Sequence, residues 1–61
     1  MSEQFKNDVN ELVNTLRRHG RIAARRQMQA LVQERKLKNW EASVLGGKVR
    51  ETAIKRGVIF R

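Results

Sequence analysis

An all-α fold of three to four short helices is what this sequence predicts, and three observations lead there. Apolar residues recur at spacings of three and four, proline is absent, and the four glycines, at positions 20, 46, 47 and 57, fall where that recurrence breaks. A chain of 61 residues buries only about 60% of its unfolded surface. With no cysteine for a disulfide, helix packing or self-association must hold it together as one small domain, residues 1–61.

The elements follow in order. Ser2 is a suitable N-cap for a helix over residues 3–18, whose apolar stripe is Phe5, Val9, Leu12, Val13 and Leu16. Arg17, Arg18 and His19 suit the negative end of its dipole, and Gly20 supplies a left-handed cap. A second helix, from about Ile22 to Arg35, carries Ala24, Met28, Leu31 and Val32 on one stripe. Leu37, Trp40 and Val44 then recur at three and four, with Asn39 as an N-cap. Extending that phase calls for apolar residues near 47, 48 and 51, where the chain has Gly47, Lys48 and Glu51; the stripe resumes at Val49 and Ala53. This slip predicts a turn at Gly46-Gly47 between two short helices. Gly57 ends the last helix, and Val58-Ile59-Phe60 forms a strand or a tail packed on the core. Trp40, Val44, Leu45, Val49, Ala53, Val58 and Phe60 are the expected core of this C-terminal unit.

Charge is distributed unevenly. The net charge is +8 and the isoelectric point about 11.5. Residues 1–16 hold Glu3, Asp8 and Glu11 against Lys6, whereas residues 17–61 hold thirteen lysines and arginines against Glu34, Glu41 and Glu51. An acidic, apolar helix thus precedes a basic body, residues 21–61, which suits a body bound to a polyanion and a helix engaged with protein. The longest apolar runs are three residues, far short of the twenty or so that span a bilayer. With no leader-like apolar run and no cysteine, a cytoplasmic protein without membrane partners is expected.

Catalysis finds little support. His19 stands at a helix end, Ser43 has no base beside it in the sequence, and Gly46-Gly47-Lys48-Val49 lacks the spacing and hydroxyl of a phosphate-binding loop. One histidine and six scattered acids make no metal site, so neither an enzyme, a metal nor a cofactor is expected.

The basic residues carry more. Arg17, Arg21 and Arg25 recur every four residues with Arg18 and Arg26 beside them, a ridge that can follow phosphates. In the last helix Lys48, Arg50, Thr52 and Lys55 are candidates for groove contacts, with Glu51 pairing with Lys55 at i+4 or accepting from a cytosine amino group. A lone Trp40 with no aromatic companions makes a poor stacking platform, which argues against single-strand binders of the sheet type.

The stretch from Trp40 to Val58 resembles the second half of compact helix-turn-helix domains of the homeodomain-like or Myb-like kind. Leu45-Gly46, Val49-Arg50, Ala53, Gly57 and Val58 match a pattern in which a leucine-glycine pair precedes a helix of form V-R-x-x-A-x-x-x-G and an aliphatic residue. The resemblance covers about a third of the chain. It implies that Lys48, Arg50, Glu51, Thr52 and Lys55 lie on or beside a recognition helix in the major groove. The second glycine, Gly47, departs from the pattern by lengthening the turn. Size and basicity are also similar to those of small regulators from phages and mobile elements.

The resulting expectation is a homodimer, or a partner complex, formed through Phe5, Val9, Leu12, Val13 and Leu16. Its basic remainder binds double-stranded DNA and regulates transcription or recombination by occupying a site. Two other readings stand beside it: an RNA-binding protein using an arginine-rich helix over residues 17–35, and an adaptor or inhibitor that docks on a host protein.

Overall fold

The apolar stripe of the N-terminal helix lies at the centre of the molecule. The computed structural model describes residues 3–58 and shows three helices, α1 (Glu3–His19), α2 (Arg21–Arg35) and α3 (Asn39–Lys55), with no strand among the described residues. α2 returns alongside α1: the Thr15 hydroxyl donates to Gln27 Oε1 and the Arg35 guanidinium to Asp8, so the ends of one helix meet the opposite ends of the other. α3 runs in the same direction as α1. Its first turns face Phe5 and Asp8, and the segment after it reaches Val13 and Leu16. α1 therefore packs against both other helices, and the core is Val9, Leu12 and Val13 from α1, Leu31 from α2, and Leu45 and Ala53 from α3.

This corrects the role expected of the first helix. Val9, Leu12 and Val13 are at most 5% exposed, and Phe5 and Leu16 pack partly buried against them. The stripe is taken up by α2 and α3 within one protomer, so it is core and not a dimer or partner surface.

The helix boundaries near the glycines divide into two kinds. Gly20 is the single residue between α1 and α2, with φ 89° and ψ −178°. That combination of positive φ and extended ψ is open essentially to glycine alone, and it differs from the left-handed helical cap expected there. Gly57, at φ 71°, closes α3 as expected: its N–H donates to Ile54 O at 3.1 Å and the Val58 N–H to Ala53 O at 2.8 Å, a Schellman turn that seats Val58 on the core. Ser2, Ile59 and Phe60, to which a cap and a packed tail were assigned, lie outside the described residues.

Gly46 and Gly47 behave differently. α3 passes through both without a break, which overturns the expected turn and the short helix after it. The reason lies in the phase. Leu45, Val49 and Ala53, at successive intervals of four, face the core straight through the glycine pair. Trp40 and Val44, from which the slip was inferred, are 65% and 53% exposed instead of buried. α3 also starts one residue earlier than expected: Lys38, not Asn39, is the N-cap, and its N–H donates to Glu41 Oε1 at 3.1 Å. α2 ends on a second Schellman turn, in which Lys36 takes a left-handed conformation (φ 53°, ψ 46°) and Leu37 returns to the core.

Candidate nucleic-acid interface

The joint at Gly20 determines where the arginines go. Because the chain reverses there, Arg17 and Arg18 in the last turn of α1 and Arg21, Arg25 and Arg26 in the first turns of α2 gather at one corner of the molecule. The expected continuous ridge is thereby corrected to a cluster wrapped around a helix break, since no single helical trace runs from Arg17 to Arg25. All five side chains are exposed. Among the described residues none of the five is ion-paired, the pairs being Arg35–Asp8, Lys48–Glu51 and Lys55–Glu51. α2 also begins without an acidic residue in its first turn and without a side-chain cap, so its positive dipole end adds to the field of the cluster.

A sixth cation joins from α3. Arg56, just beyond that helix, lines with Arg17 a groove of about 430 Å³ whose other walls are Val13, Asn14, Leu16, Gly57 and Val58. The Arg56 guanidinium donates to Asn10 Oδ1 at 2.9 Å, which holds it across the face of α1. Its position three residues after the buried Ala53 was the signal that its stem lies over α1, but only the fold brings it beside Arg17.

The C-terminal candidates divide. Arg50 is exposed on α3. Lys55 is exposed and pairs with Glu51 at 3.4 Å, the i+4 pair anticipated from the sequence. Lys48 is only half-exposed and lies 3.8 Å from the same Glu51. Thr52, a candidate for base contact, is half-buried, and with Lys48 it faces Phe5, Lys6, Val9 and Asn10 of α1. Residues 48 and 52 are one turn apart on the side of the helix adjoining the buried line 45–49–53, so they cannot also stand outermost.

One ionic contact was missed altogether. Asp8, counted in the sequence only toward the acidic charge of the first helix, is 5% exposed; it accepts from Arg35 Nη1 and, at 3.2 Å, from Gln4 Nε2. No buried side-chain nitrogen or oxygen among the described residues lacks a partner. Among those residues no cluster of three metal-ligating side chains occurs, and no helix is long and apolar enough to cross a membrane. The chemistry available at the arginine corner is the binding of anionic oxygen by guanidinium groups, which fits phosphate in a bidentate manner. No family model matches this chain, and neither a curated protein nor a solved structure is similar to it.

Proposed function

We propose that this protein binds double-stranded DNA through its phosphates and regulates by occupying the site it covers. The observation that carries this reading is the gathering of five exposed arginines with no acidic partner at the α1–α2 corner, with Arg56 beside them. Isolated surface cations are ordinary, but five exposed arginines crowded at one corner with no acid paired to them have a field suited to a polyanion.

The mode of binding differs from that implied by the resemblance to helix-turn-helix domains. With α3 unbroken, a short recognition helix after a hinge at 46 and 47 drops out of the reading, and Thr52 no longer serves as a base contact. Contacts to phosphate remain, from the arginine corner and from Arg50, and these position a protein on a duplex without specifying sequence.

A duplex-binding titration across a salt series tests this. Neutralising five phosphates predicts a log–log slope of about −4.5, and Arg21→Ala with Arg25→Ala reduces its magnitude by about two. A slope near zero, or one that the double substitution leaves unchanged, overturns the reading. Structured RNA that displaces the duplex at equal concentration transfers it to the RNA-binding alternative.

A further inference from the structure

The end of the molecule away from the arginines has a different character. Trp40 and Val44, more than half exposed, stand over Phe5, Leu37 and Leu45 in a groove of about 460 Å³ between the first turns of α1 and α3. Its walls also carry Arg35 on α2 and Glu41 on α3. A tryptophan and a valine held adjacent on a helix surface, in a chain with only six buried hydrophobic residues among those described, form an apolar patch of the kind that contacts protein.

Charge selects the occupant. The segments that build this end, residues 3–10 and 31–45, hold four basic and four acidic side chains and are neutral overall. The segments that build the rest, residues 11–30 and 46–56, hold nine basic side chains against Glu11 and Glu51, a net +7. Two copies of this chain repel one another through any approach except the one that brings their neutral ends together. A polyanion gains nothing at a neutral end, and a strongly charged protein has no complementary surface there. Arg35 and Glu41 at the rim are already engaged within the protomer, by Asp8 and by the Lys38 N–H, so neither presents a free charge that opposes the approach.

We infer that the Trp40–Val44 groove is the contact surface of a symmetric homodimer in which the two arginine corners point away from each other. This does not rest on the nucleic-acid reading, and its test contains no nucleic acid. Sedimentation equilibrium of the full chain is run from low micromolar to several hundred micromolar, alongside emission from Trp40, the one tryptophan present. Mass doubles and the emission shifts to the blue over the same concentration range, and high salt preserves the dimer. Val44→Glu, at an exposed position, keeps the helical circular dichroism and weakens association by about tenfold or more, because the substitution meets its own copy across the two-fold. Trp40→Ala gives the same result should Val44→Glu lower the helix signal. A single-chain mass throughout, a dimer indifferent to both substitutions, or a blue shift without a change in mass overturns the inference.

Discussion

A carboxylate set into an apolar stripe costs several kcal/mol unless its oxygens are met. Asp8 satisfies that condition with Gln4 one turn earlier on its own helix and Arg35 on the next. Arg35→Met removes the cation while leaving Asp8 buried, and we expect a loss of about 2–3 kcal/mol in urea denaturation. Asp8→Leu added to it restores most of that loss, since an apolar pair of similar volume has no desolvation to offset. The position of Asp8 was legible: it falls within the series 5, 8, 9, 12, 13, 16 and thus on the buried face. Its partner was not, because Arg35 is 27 residues away and only the reversal at Gly20 brings it near. Lys36 is a second residue whose conformation could not be read from the chain. It holds φ 53° where glycine is the unstrained choice, so Lys36→Gly is expected to raise stability by about 0.5–1 kcal/mol in the same assay.

Among the elements, α1 and α2 were readable nearly to the residue because their stripes are regular and Gly20 interrupts both. α3 was not. Trp40 and Val44 share an interval of four with each other and Leu45 shares one with Val49 and Ala53; periodicity alone cannot say which line is buried when both are apolar. A glycine pair then looks like a hinge, although glycine is merely a costly helix residue when the packing around it is continuous. Gly46→Ala and Gly47→Ala therefore stabilise the fold by about 0.5–1 kcal/mol each. An added Cβ meets Met28 Cε at 3.8 Å in the first case and open space in the second. Thermal unfolding reads this as a rise of about 4–8 °C per kcal/mol. Gly20→Ala has the opposite sign: space is free around it, but its backbone conformation is not open to alanine, and a loss of about 1–3 kcal/mol is expected.

For the whole molecule, the all-α class and the basic character were plain from spacing and composition, whereas the surfaces were not. A stripe on the first helix reads the same whether it meets another chain or the rest of its own. Only the placement of α1 between α2 and α3 shows that its apolar side is used up and that, among the described residues, the large apolar side chains left exposed are Trp40, Val44 and Ile22. The crowding of like charge at one end is a cost to folding that screening relieves. Melting temperature should rise by several degrees between about 0.01 and 0.1 M salt, over which the Debye length shortens from about 30 to 10 Å, and scanning calorimetry measures this. The lopsided placement of that charge has a consequence for motion as well. A body about 29 Å long with its positive charge at one pole has a large permanent electric moment, and near a line of phosphates it experiences torque as well as pull. On the proposed DNA-binding reading it arrives already turned, arginines leading, and fewer encounters are wasted on the wrong orientation.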